Sequence, residues 1–161
     1  MLIAIILILA FLSTGVLELI QKVNATGEAF AEVTYAGEPI IKINLRNPEE
    51  YQLYNTSFKN QINTDLAKDG IFYVPGETTV QMDELYKTDV YAKENNIVGI
   101  KLQVKDGKIS VVYQESPKDL CQFEPPTNSS LDPIVCLPNK VVIRIITSQT
   151  NDDLIIDGSL E

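Results

Sequence analysis

A chain of 161 residues with 45% apolar and 22% charged side chains has room for one globular domain and a targeting segment, and is too short for a two-domain enzyme. Its 22 acids and 13 singly scattered bases give a formal net charge of −9, which excludes the basic stripe that nucleic acid requires and disfavours anionic lipid headgroups. Histidine is absent, so histidine general bases, the usual Ser, Cys or Thr triads and zinc held by His and Cys ligands are excluded; no catalytic, cofactor or metal residue is assigned.

Residues 1–17 carry no charged side chain, and residues 2–12 (LIAIILILAFL) are almost purely aliphatic, whereas a helix packed on a globular core would carry a polar face. Extended to residue 20 around Glu18, the run spans about 30 Å as a helix, the thickness of a hydrocarbon core. It predicts a transmembrane anchor over 1–20 and a polar neck over 21–29. The alternative is a signal peptide cut after Val23-Asn24-Ala25, giving a secreted soluble domain that starts near Thr26. The missing basic n-region and the distance of that site from the apolar run favour the anchor. Lys22, the only nearby base, does not fix the side of the membrane. The acidity belongs to the body, where 21 acids face 12 bases once Glu18 and Lys22 are set aside.

Residues 30–35 (FAEVTY), Ala36-Gly37 and residues 39–45 (PIIKINL) predict a first hairpin with Ile41, Ile43 and Leu45 on one face. Residues 48–63 hold Tyr51, Tyr54 and Phe58 without a regular period. Residues 65–70 predict one helical turn capped by Gly70, and residues 71–74 and 89–92 predict strands. The clearest hairpin joins residues 97–105 (IVGIKLQVK) to 108–114 (KISVVYQ) through Asp106-Gly107, a pair suited to the positive φ angles of a type I′ turn. Residues 117–120 predict a helical turn leading into Cys121. A short strand over 133–137 then reverses at Pro138-Asn139 into residues 140–147 (KVVIRIIT), whose two apolar faces predict a central strand. From residue 148 four acids and no base predict a frayed acidic tail. Many short strands and frequent turns predict a mainly β domain over 30–147, a small antiparallel β-sandwich or barrel with at most one or two short helices.

Cys121 and Cys136 are the only cysteines, 15 positions apart in CQFEPPTNSSLDPIVC. In an exported chain they predict one disulfide, worth about 3 kcal/mol in the chain-entropy model, and that export places the body outside the membrane. Two buried thiols of a cytosolic protein are the alternative, and a redox-active pair is a third reading that lacks the close CxxC spacing. Pro125, Pro126, Asn128, Ser129, Ser130, Asp132 and Pro133 preclude a periodic apolar face, so the enclosed stretch reads as an irregular surface loop.

The stretches VKDGKISVV, SPKDLC and IVCLPNKVVIRI, within residues 100–146, resemble the NusG domain II-like family of bacterial proteins, many of which follow one N-terminal transmembrane helix. Cys121 and Cys136 fall on the last two cysteine positions of that family's pattern, and Ser116 stands where the first would be, leaving one possible bridge. The opening EVTYAGEPIIKINL is similar to the family's first hairpin, and residues 48–96 read as an insertion. The resemblance implies a small β-sandwich or barrel, not the NusG transcription factor, whose function rests on other domains. Members lack an established activity; by analogy some stand beside membrane electron-transfer or transport components.

These readings predict a non-catalytic, single-pass protein of the bacterial cell membrane whose extracytoplasmic C-terminal domain binds a protein partner. The partner surface is assigned to Phe123, Pro125, Pro126 and Asp132 of the loop and to Leu137, Pro138 and Asn139 of the following hairpin, because a closed loop loses little entropy on binding. A redox carrier cycling Cys121 and Cys136 and a secreted binding domain are the rival readings. The acid pairs Asp65 and Asp69, Asp83 and Glu84, and Asp152 and Asp153 lack the spacing of a calcium loop and read as solvated surface acids.

Overall fold

Ala36 and Gly37 both take positive φ, 51° and 87°, and so join strand β1 (Ala29–Tyr35) to β2 (Glu38–Asn44) by a two-residue turn. Such a turn matches the right-handed twist of the paired strands. In this computed structural model, which describes residues 28–77, 82–116, 118 and 120–147, the expected first hairpin is therefore present. The expected anchor over 1–20 and the acidic tail from 148 lie outside the described residues, among which no helix is long and apolar enough to cross a membrane.

Strand β3 (Tyr51–Leu53) adds to the outer edge of β2, and β4 (Ile71–Val74) follows a single 3₁₀ turn at Ala67–Asp69. That turn ends in left-handed Gly70, φ 73°, as its sequence predicts. A Cβ on Gly70 would also collide with the Val104 carbonyl oxygen, so glycine is required twice over. Strands β5 (Ile100–Lys105) and β6 (Lys108–Tyr113) meet at Asp106-Gly107, with φ 53° and 72°, the turn chemistry expected of that pair. Strands β7 (Ile134–Cys136) and β8 (Val141–Thr147) are joined by a 3₁₀ turn, Leu137–Asn139.

Among the described residues all pairings are antiparallel, in two sheets of order β3-β2-β1-β8-β7 and β4-β5-β6. Strand β8 is central laterally, pairing with β1 from Tyr35 opposite Val141 to Ala29 opposite Thr147. It is buried on one face only: Val141, Ile143 and Ile145 are inside, while Val142 and Ile146 are half-buried and Arg144 is exposed. Central position thus comes from the two neighbours and not from double burial, contrary to the reading from its apolar faces.

One buried cluster draws on both sheets, with Val33, Ile41, Ile43 and Ile143 from the first and Phe72, Leu102, Val104 and Ile109 from the second. Each such aliphatic side chain contributes about 1.5–3 kcal/mol when fully buried. Strand β4 is buried on both sides, because Phe72 enters this cluster whereas Tyr73 faces a second one built from Met82, Leu85, Ala92 and Ile97.

That second cluster is helical and overturns one expectation. Residues 89–92 form no strand; Asp89 caps helix α2 (Val90–Glu94), its carboxylate accepting the Ala92 N–H at 2.9 Å, just after α1 (Asp83–Thr88). An Asp at the N-cap satisfies a donor that the helix leaves open, and this local bond outweighs the short period-two pattern. A 3₁₀ turn at Leu120–Phe123 runs through Cys121, while Pro117 and Asp119 of the turn expected over 117–120 lie outside the described residues.

Gly99, φ 144°, lets the chain leaving α2 pass directly against the end of β4: a Cβ there would strike the Val74 carbonyl oxygen. Replacing Gly99 with Ala should therefore cost about 2 kcal/mol or more, read as a lower urea midpoint at unchanged m-value.

Candidate functional site

The loop between the cysteines begins on the Leu120–Phe123 turn and returns along β7. Cys121 and Cys136 are disulfide-bonded, with Cα atoms 5.8 Å apart. Both residues are buried and belong to the main core, so the bridge fastens the loop from beneath. Thr127, also buried, exchanges two backbone hydrogen bonds of 2.9 Å with Ile109 and fixes the loop to the free edge of β6. Hydroxyl groups order the stretch between: Thr127 Oγ1 accepts from the Ser129 N–H at 3.1 Å, and Ser129 Oγ accepts from the Leu131 N–H at 3.2 Å.

Over this base the expected surface residues Phe123, Pro125, Pro126, Asp132, Leu137 and Pro138 are all exposed. Asn139 departs from its assignment. It is fully buried, its Nδ2 donating to Gln114 Oε1 at 3.1 Å and to the Glu115 carbonyl at 2.9 Å. A buried amide must satisfy its protons internally, so Asn139 ties the β7–β8 reversal to the end of β6 and offers nothing to a partner. Gln122 reinforces the joint by donating to the Gln114 carbonyl at 2.7 Å.

Sequence reasoning missed Leu120, Leu131 and Val135. Nine large apolar side chains are exposed among the described residues, and five lie between Leu120 and Leu137: Leu120, Phe123, Leu131, Val135 and Leu137. Phe123, Leu131 and Leu137 are 79%, 87% and 75% exposed, an unusual concentration for one loop. The signal was available in part: β7 alternates, so with Ile134 and Cys136 inside, Val135 must face out. An open cleft of about 810 Å³ adjoins the surface at Gln122 and is walled by Tyr86, Lys87 and Lys93 opposite Tyr113 and Glu115.

Residues 58–149 match the family described as NusG domain II. The chain belongs to the NusG domain II family. Among solved structures it is similar to a DUF1312 family protein from Ruminococcus gnavus ATCC 29149, with 20% identity, a TM-score of 0.38, and coverage of 73% of this chain and 96% of that one. It is also similar to the Lin0431 protein from Listeria innocua, both as a crystal structure (18% identity, TM-score 0.45, coverage 76% and 99%) and in solution by NMR (19%, 0.46, 84% and 91%). No curated protein matches the chain. The NusG domain II match takes in β4 to β8, both cysteines and the exposed loop. It starts beyond β1, yet β1 pairs with the whole of β8, so the preceding hairpin completes the same sheet.

The largest displacement of an ionisation in this NusG domain II chain, at Tyr73 with its partner Asp89, lies away from the loop. Burial alone would raise the Asp89 carboxyl, but hydrogen bonds from Lys101 Nζ (2.6 Å), the Ala92 N–H (2.9 Å) and Tyr73 Oη (2.7 Å) hold it below the usual aspartate value. Burial and the Asp89 carboxylate push Tyr73 far above the usual phenol value. Tyr73 is fully buried, so the group ties the helices to β4 and β5 instead of meeting a substrate. Among the described residues no three His, Cys, Asp or Glu side chains gather to hold a metal ion.

Proposed function

We propose that this chain is a non-catalytic binding or assembly module, held by residues 1–20 at the outer face of a bacterial membrane and docking a protein partner through its disulfide-closed loop. By analogy with the family, the partner belongs to a membrane electron-transfer or transport system. The two sheets, sharing one core, are read as a small β-sandwich.

The observation carrying this reading is the concentration of exposed apolar side chains on a base already fixed by a buried disulfide and the Thr127–Ile109 bridge. Ordering such a loop costs little on binding, and the aromatic Phe123 supplies a central anchor that the surrounding Leu and Val side chains shield from water. The burial of both cysteines favours a structural bridge over a cycling dithiol, whose sulfurs must be reached by an attacking thiolate.

A photo-cross-linking residue at Leu137 should capture a discrete protein in cells, while the same residue at Val90, another exposed apolar site on α2, should not. Equal capture at both positions would sink the docking assignment. Replacing Phe123 with Ser should weaken capture by roughly tenfold or more while moving stability by less than about 0.5 kcal/mol. Recovery of the protein from the medium with an N-terminus near Thr26 would replace the anchored reading by the secreted one.

A further inference from the structure

A second cleft, of about 390 Å³, lies apart from the loop, where residues 60–63, the exit of β4 and the segment after α2 converge. Its ten lining residues include five carboxamides, Asn60, Gln61, Asn63, Asn95 and Asn96, with Ile62, Pro75, Ile97 and Val98 between them. None carries a charge, although the chain has a net charge of −9, and the cleft beside the loop is walled by acids and lysines.

The framework of this cleft is fixed. Asn63 pairs with Tyr73 through two backbone hydrogen bonds of 3.0 Å, and its amide donates to Asp65 Oδ2 at 3.1 Å. The Asn95 amide donates to the Tyr91 carbonyl at 2.9 Å. Beside the cleft, Gly99 packs directly against the Val74 carbonyl and Pro75. Asn60, Gln61 and Asn96, by contrast, make no side-chain hydrogen bond with another described residue, so their amides are open to a ligand.

We infer that this cleft binds a neutral oligosaccharide. A carboxamide both donates and accepts, as a sugar hydroxyl does, and several amides on fixed backbone can match the dense hydroxyls of one sugar ring. A charged ligand would shed water without finding a counter-charge, which costs more than the amides return. Half-buried Ile62 and exposed Val98 between the amides offer apolar surface to the C–H face of a pyranose. An extended peptide is disfavoured, because it would seek an open sheet edge and the Asn63–Tyr73 bridge already occupies β4 at this point.

The test is a ¹H–¹⁵N NMR titration of the full chain in a sugar-free detergent with chitotriose, cellotriose, anionic trigalacturonate and an uncharged acetylated tetrapeptide amide. At least one neutral trisaccharide should shift the side-chain amides of Asn60, Gln61 and Asn96 saturably in the millimolar range, and trigalacturonate should bind about tenfold more weakly. Combining Asn60→Ala with Asn96→Gly, which relieves the positive φ of 51° at Asn96, should weaken that binding at least about tenfold without lowering the melting temperature. The inference is overturned if neither neutral sugar shifts these signals by about 20 mM, if the peptide binds as well as the sugars, or if the folded double variant binds as the parent does.

Discussion

Replacing either cysteine with alanine should lower the melting temperature of the full chain by roughly 10–15 °C, the effect of losing about 3 kcal/mol of cross-link stabilisation in a domain of this size. Alanine is the appropriate substitute because both positions are buried, and a serine hydroxyl there would add its own cost. Local geometry argues for a large effect. Strand β7 has three residues and, among the described residues, pairs only with β8, so the disulfide is the cross-link that fastens it directly to the Leu120–Phe123 turn. The double variant Cys121→Ala/Cys136→Ala should be no less stable than either single variant, since one bond is removed in all three. Strong reductant should bring the parent to the same transition. A melting curve that neither substitution moves would show that the bridge contributes nothing. The couple should also have a reduction potential below about −300 mV, and a value near those of cellular oxidoreductases would restore the redox-carrier reading.

What could be read from residues alone follows from the range of the physics involved. Asp106-Gly107 and Ala36-Gly37 announced both long hairpins because a two-residue turn with positive φ is decided by adjacent residues. Gly70 was legible as a cap for the same reason, though its close approach to Val104 was not. The helices over 83–94 escaped because each is only five or six residues long, too short to show a period, and because Asp89 acts through a cap instead of a pattern. At the candidate surface the disulfide and the prolines marked the loop. They could not reveal that Asn139 turns inward, since its partners Gln114 and Glu115 lie 25 and 24 residues away. Leu137 was legible as part of the β7–β8 hairpin, but Leu120 was not, because it reaches the same surface only through the joining of Cys121 to Cys136, which is a tertiary event.

The least legible feature, the Asp89 network, carries the second large expectation. Asp89 takes hydrogen bonds from Tyr73, 16 residues before it, and from Lys101, 12 residues after it, and its side chain is 6% exposed. Asp89→Ala removes the helix cap and leaves a mostly buried ammonium and a buried phenol without their acceptor, which should cost about 3–5 kcal/mol. Asp89→Asn keeps an acceptor for the Ala92 N–H and should cost less, and adding Lys101→Met to Asp89→Asn should recover part of the loss by removing the orphaned charge. The pH dependence has a definite sign. Because the fold holds Asp89 below its ordinary value, its contribution is complete above the unfolded aspartate value of about 3.9 and disappears as pH falls through the folded one. Tyr73 acts in the opposite direction: its folded value is raised, so stability present below about pH 10 is lost as the unfolded phenol ionises and the folded one does not. Urea midpoints of the parent should therefore fall at both extremes, and Asp89→Asn should remove the excess acid-side slope. If parent and variant lose stability in parallel below pH 4, Asp89 is not the group that couples this fold to acid.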